Sequence, residues 1–147
     1  MTKVEISVFL SSLLIAGVVF AGSDPIKQRQ ALMEDTRDGA KVIGAMLKQE
    51  KPFDAAAAMG ALMVWKKTAE EAGGLFPEGS ETGYDTEAKE TIWSDRAGFE
   101  KALAEFGEKV DAAIAANPDS LEALKANAGP VFQSCKNCHE GYRIDKD

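Results

Sequence analysis

Metal- and thiol-bearing side chains are scarce in this chain: its 147 residues include one histidine and two cysteines. A lone histidine excludes any site in which two imidazoles of the same chain hold one metal. Together the three side chains fall short of the four ligands that a structural zinc site takes. Basic residues are also in deficit, with 17 Lys and Arg against 24 Asp and Glu and a formal charge of −7. That balance would repel phosphate backbones, so it argues against a nucleic-acid partner. It leaves open docking on a basic protein, because complementary charge steers encounters, and it also serves plain solubility. Sustained apolar–polar alternation is missing, so no strands are expected. Internal repeats and low-complexity tails are missing too. The plentiful alanine favours helix, and the length suits one domain of ordinary size.

Long hydrophobic runs are confined to the start. Ile6 to Phe20 reads ISVFLSSLLIAGVVF, a mostly apolar run of 15 residues. A spanning helix needs about 20. Lys3 precedes the run, with Glu5 diluting its charge, and Val19-Phe20-Ala21 leads to Gly22. This is the pattern of a secretory signal over residues 1–21, cut at Ala21/Gly22, ahead of one domain over residues 22–147. An uncleaved anchor is the alternative. Export to the periplasm would put the cysteines in an oxidising compartment, where a disulfide is the ordinary outcome.

Four helices are expected beyond that point. The first runs from about Ile26 to Lys48, with Ile26, Met33, Ala40, Ile43 and Leu47 on one face. Lys51-Pro52 ends it. Asp54 caps the second, and Gly73-Gly74 stops it. The stretch from Gly74 to Asp85 holds Pro77, Gly79, Ser80 and Gly83 and reads as a crossover loop. Thr86 is the expected cap of the third helix, whose seam is Ile92, Phe99, Leu103, Phe106, Val110 and Ala113. Asn117-Pro118 stops it, and Asp119 or Ser120 starts the fourth. Leu121, Leu124, Ala128, Val131, Cys135, Cys138 and Tyr142 line one face of that last helix, with Pro130 as a potential kink. The expected fold is all-α, an antiparallel four-helix bundle with its longest loop between helices 2 and 3.

The inward stripe of the last helix runs into Cys135-Lys136-Asn137-Cys138-His139. C-x-x-C-H is the pattern of covalent haem attachment. On a helix, positions three and four apart share a face. Two thiols there can add to the two vinyl groups of one haem edge, and the imidazole beside them can bind the iron. A redox dithiol normally belongs to a βαβ setting, and a bare disulfide leaves His139 unexplained. The sixth iron position must then be methionine, lysine, water, a gas or empty.

A signal-like start, a helical body and a C-terminal CKNCHEGYR segment together resemble the class II cytochromes c. These are the cytochromes c′ and their methionine-ligated, cytochrome c556-like relatives. Further pieces of the resemblance are RQALM from Arg29 to Met33, GAMLKQEKPFD, LFPEGSETG and IWSD at Ile92 to Asp95. The resemblance implies one covalent haem c per chain, held through Cys135 and Cys138, with His139 as the proximal iron ligand. It implies Met33, four residues after Arg29, as the distal ligand, where leucine in cytochromes c′ leaves the iron five-coordinate. Met46, Met59 and Met63 are weaker candidates. It places Arg29 and Gln30 at the haem periphery near the propionates, and Arg143 near the proximal ligand. The expected activity is one-electron transfer without substrate turnover, to a partner with a basic docking surface. The alternative is a five-coordinate protein that binds nitric oxide or carbon monoxide. Members of the family pair through their first two helices, so a homodimer is an expectation too.

Overall fold

Helix-capping chemistry punctuates the chain, and most of the elements follow from it. The computed structural model describes residues 24–146, so the expected signal segment lies outside the described residues. Helix α1 spans Pro25–Leu47, α2 Ala55–Glu71, α3 Thr91–Ser94, α4 Arg96–Ala116 and α5 Leu121–Tyr142. Asp24 caps α1 through the Ile26 N–H at 2.8 Å, with Pro25 at the first helical position, where its missing N–H costs nothing. Asp54 caps α2, its carboxylate accepting from the Ala57 N–H at 3.0 Å. Ser120 caps α5 through the Ala123 N–H at 3.2 Å. Asn117 closes α4 in the left-handed region at φ 43°, a conformation that asparagine tolerates, and Pro118 bars continuation. Helix α5 continues through Pro130 as one element.

The long helices α1, α2, α4 and α5 form the antiparallel four-helix bundle, and no strand is present among the described residues. Neighbours in the bundle are α1 with α2, α2 with α4 and α4 with α5, whereas α1 and α5 touch more sparingly. The core is one apolar cluster from all four: Ile43, Met46, Leu62, Trp65, Phe106, Val110, Leu124, Ala128 and Val131. It fills the half of the bundle that holds the α1–α2 and α4–α5 turns. The crossover, residues 76–90, lies at the other end beside the start of α1 and the end of α5.

Two expectations are corrected. Thr86 does not cap the third long helix. Its hydroxyl accepts from Arg29 at 3.0 Å and from the Ala88 N–H at 3.3 Å, which holds residues 86–90 outside any helix. Asp95 caps α4 instead, accepting from the Gly98 N–H at 3.2 Å, with the one-turn α3 ahead of it. The buried row of α1 is also turned by about one position from the expected face. It consists of Ile26, Arg29, Leu32, Gly39, Ile43 and Met46, while Met33, Ala40 and Leu47 are half-buried at its margin. The row turns because Arg29 finds oxygens inside the fold and because Gly39 lets Trp65 approach the α1 backbone.

Candidate haem site

The last two turns of α5 carry Cys135, Cys138 and His139. Cys135 is half-buried and packs against the apolar core, Cys138 is half-buried, and His139 is exposed. Burial, with a contribution from Cys138, pushes the Cys135 thiol up to about 11. Burial raises Cys138 as well. Both therefore stay protonated at neutral pH, unlike the low-pKa thiolates of redox dithiols. Desolvation and the nearby Arg143 hold the His139 imidazole below its ordinary value, with Glu87 opposing. The neutral ring, the form that binds a metal, is the favoured one.

The end of α5 is clamped. A helix leaves its last carbonyls without partners, and here the segment from Glu87 to Thr91 supplies them. Lys89 Nζ donates to the Glu140 carbonyl at 2.8 Å, Thr91 Oγ1 to Gly141 at 2.9 Å and the Lys89 N–H to Tyr142 at 3.0 Å. Ile144 N–H donates to the Glu87 carbonyl at 2.7 Å, and Ala88 and Arg143 form an isolated antiparallel bridge. Arg143 also reaches Glu87 at 4.0 Å. The Tyr142 hydroxyl donates to Asp95 at 3.0 Å, and its ring meets Phe99 edge-on at 5.3 Å. His139 thus stands on a helix end that is held from outside the helix.

The start of α1 carries the other group. Arg29 is buried. Its Nη1 donates to the Leu75 carbonyl at 3.1 Å and Ser80 Oγ at 3.0 Å; its Nη2 donates to the Ser80 carbonyl at 2.6 Å and Thr86 Oγ1 at 3.0 Å. The guanidinium lies 4.8 Å from the Phe76 ring centre and 5.7 Å from that of Trp93. Burial lowers its pKa, with Asp24 and Glu81 opposing, and a guanidinium remains charged. Gln30 is exposed and donates to the Tyr84 carbonyl at 2.8 Å. Residues 75–86 therefore bind α1, and residues 87–91 bind the end of α5.

Met33 sits one turn along α1 from Arg29, half-buried, on the crossover side of the Trp65 level. Cys135 lies one turn beyond Phe132, which meets Trp65, so it leaves that level in the same direction. The other described methionines are placed differently. Met46 is in the core, and its sulfur accepts from the Asp54 N–H at 3.3 Å. Met63 is 50% exposed on the outside. Met59 lies nearly two turns from Trp65 on the opposite side from Cys135. Ser80, Glu87, Lys89, Thr91 and Asp95 complete the surroundings. The sequence reading assigned them nothing, although Ser80 and Asp95 stand inside the LFPEGSETG and IWSD segments.

These residues fit a flat apolar group with an iron at its centre. Two thiols share a helix face, a neutral imidazole adjoins them, and a thioether rises from α1, which touches α5 only sparingly. No cluster of three or more His, Cys, Asp or Glu able to hold a bare metal ion occurs among the described residues. The fold and site define a haem-bearing helical bundle.

Comparison with known proteins gives the family. A family model described as cytochrome C′ matches residues 24–143. A cytochrome c′ of Rhodopseudomonas palustris is 37% identical over 139 residues, covering 90% of this chain and 94% of that protein. The structure of a cytochrome c′ from that organism matches with a TM-score of 0.81 and 36% identity over 86% of this chain and 100% of that one. A cytochrome c-556 of the same species is 36% identical over 140 residues, covering 91% of each. A nitric oxide complex of a mutant cytochrome c prime from Alcaligenes xylosoxidans matches with a TM-score of 0.72 and 30% identity, over 82% of this chain and 94% of that one. This chain belongs to the cytochrome c′ family. Its cofactor is covalently bound haem c with its iron. Such proteins carry electrons or bind small gases. Among the described residues no helix is long and apolar enough to cross a membrane.

Proposed function

We propose that the protein is a periplasmic one-electron carrier whose haem is attached through Cys135 and Cys138 and ligated by His139 and Met33. The observation that carries this reading is the position of Met33: it is the described methionine that shares the crossover half of the bundle with Cys135. The bound haem supplies the ferric–ferrous couple. The chain's part is to present a nitrogen from α5 and a soft sulfur from α1, a pair that raises the reduction potential. Both stand on helices tied to one crossover, which limits rearrangement on electron transfer. Arg29, Gln30 and Arg143 belong to the haem periphery in this reading. Arg29 already spends its Nη donors on the crossover, so its effect on a propionate is chiefly that of a buried positive charge. No substrate is transformed, so the protein is a carrier and not an enzyme. Its acidic surface suits a basic redox partner.

Absorption spectroscopy of the matured, secreted protein tests this. Low-spin ferric bands with a methionine-to-iron charge-transfer feature are expected, and Met33→Ala should abolish that feature and give high-spin iron. An unchanged spectrum in the variant removes Met33 from the iron. The second reading, a five-coordinate gas binder, draws on the nearly equal identity to a cytochrome c′ and a cytochrome c-556. High-spin iron in the unmutated protein, taking up carbon monoxide without loss of a ligand, would establish it.

Pairing through α1 and α2 is part of the proposal. A groove of about 420 Å³ between them is lined by Asp35, Val42, Ala57, Gly60 and Val64 among others. Val42 is 42% and Met63 50% exposed on these two helices. Sedimentation of Val42→Glu against the unmutated protein checks it.

A further inference from the structure

Helices α1 and α5 carry the two sides of the site but touch each other sparingly. The crossover ties their ends together, and within the bundle one side chain that reaches both helices is Trp65 on α2. It is fully buried. Its indole Nε1–H donates to the Thr36 carbonyl of α1 at 3.0 Å. On its other side the indole ring meets Phe132 of α5 edge-on, with centroids 5.2 Å apart at 82°.

Both contacts adjoin the site. Thr36 follows Met33 by three residues and Phe132 precedes Cys135 by three, so each lies one turn from a site residue on the same helix face. Gly39 supplies the room: a Cβ there would stand 3.2 Å from Trp65 Nε1 and 3.4 Å from the Ala61 carbonyl. A second lock lies one turn along α2, where the hydroxyls of Thr36 and Thr68 meet at 2.6 Å. That contact joins α1 to α2 only; Trp65 carries the link on to α5.

We propose that Trp65 is a positioning residue, a strut that sets the separation of α1 from α5 and so the approach of Met33 to iron held on the His139 side. The inference rests on the reading of Met33 as an axial ligand. Close-packed interiors transmit displacement rather than absorb it. Ligand orientation in metal sites is fixed by groups one step removed from the metal.

The test uses the haem-loaded protein and three variants. Trp65→Phe keeps an apolar ring and removes the N–H donor. Gly39→Ala keeps the indole and pushes it away from α1. Leu124→Ala empties core volume but leaves the contacts of Trp65 with Thr36 and Phe132 in place, and serves as the stability control. The readouts are the methionine-to-iron charge-transfer band, the fraction of ferrous protein that takes up carbon monoxide at once, and the melting temperature.

Losing one hydrogen bond of ordinary net strength shifts a two-state ligation equilibrium about fivefold. Trp65→Phe should therefore raise the carbon-monoxide-reactive fraction about fivefold and weaken the band. Gly39→Ala should move both readouts the same way by less. Leu124→Ala should lower the melting temperature and leave both readouts in place. If Trp65→Phe and Gly39→Ala melt early but keep the unmutated band, or if Leu124→Ala loses it equally, the strut is refuted while Met33 ligation stands. If the unmutated protein has no such band, the ligation reading fails first and the strut falls with it.

Discussion

The two halves of the bundle are built on different principles. In the half beside the α1–α2 and α4–α5 turns, Ile43, Leu62, Val110, Leu124 and Val131 are fully buried and the contacts are apolar. The buried polar residues among those described are Arg29, Thr68 and Ser80, and all lie toward the crossover half, where Met33, Cys135 and Cys138 are only half-buried. One half is closed by side-chain packing, at roughly 25 cal/mol per Å² of apolar surface removed from water. The other buries Ile26, Leu32, Ile92 and Phe99 but adds hydrogen bonds from the crossover, which fix two helix ends while leaving their apolar faces partly open. Stability and function can then be altered separately.

The sharpest break of that comparison pairs one residue from each half. Leu124→Ala should cost about 2–5 kcal/mol in denaturant unfolding of the haem-loaded protein, with the haem spectrum intact. Met33→Leu conserves volume, so its packing cost should stay below about 1.5 kcal/mol, while it changes the iron's spin state. Parallel responses in the two measurements would mean that the halves are not separable.

A smaller loss is expected at Arg29, the hub of the crossover half. Arg29→Met keeps much of the apolar stem but strips hydrogen bonds from four oxygens. Some of these can turn to water, so about 1.5–3 kcal/mol is expected, the range of one hydrogen bond to a charged group. Hydrogen exchange should locate the loss: the Ser80 and Thr86 amides should exchange faster, those of Val110 and Leu124 hardly so. Uniform acceleration across both sets would make Arg29 part of a single cooperative core.

Legibility in the sequence divides along the same line. The apolar half was readable because its pattern is local: the seam of α4 holds Phe106, Val110 and Ala113 buried as expected, and α5 buries Leu124, Ala128 and Val131. Caps at Asp54, Ser120 and Asn117 follow from side-chain chemistry within a few residues. C-x-x-C-H announces its own chemistry, and the family resemblance made Met33 stand out. What could not be read lies in contacts across long sequence separation. Thr86 looks like a cap until Arg29, 57 residues away, takes its hydroxyl. The face of α1 was placed one position off because an arginine on the buried row becomes acceptable only once distant oxygens surround it. Trp65 reads as ordinary core, and its link from α1 to α5 needs the fold.

The smallest effect is expected at the clamp on α5. Tyr142→Phe retains the edge-on packing on Phe99 and removes only the hydroxyl that donates to Asp95. Asp95 keeps its role at the start of α4 through the Gly98 N–H, so the loss should be well below that at Arg29. Its pH dependence identifies the hydroxyl as the cause. Burial, and next the hydrogen bond to Asp95, raise the Tyr142 pKa in the folded protein. The folded state then holds the phenolic proton more tightly than the unfolded chain does. Stabilisation from this proton is complete below the unfolded value of about 10 and is lost as pH rises through the folded one. The difference in melting temperature between the unmutated protein and Tyr142→Phe should be constant from neutral pH to about 9, then shrink. A difference that persists or grows above that range would assign the effect to ring packing, and the clamp would resemble the apolar half after all.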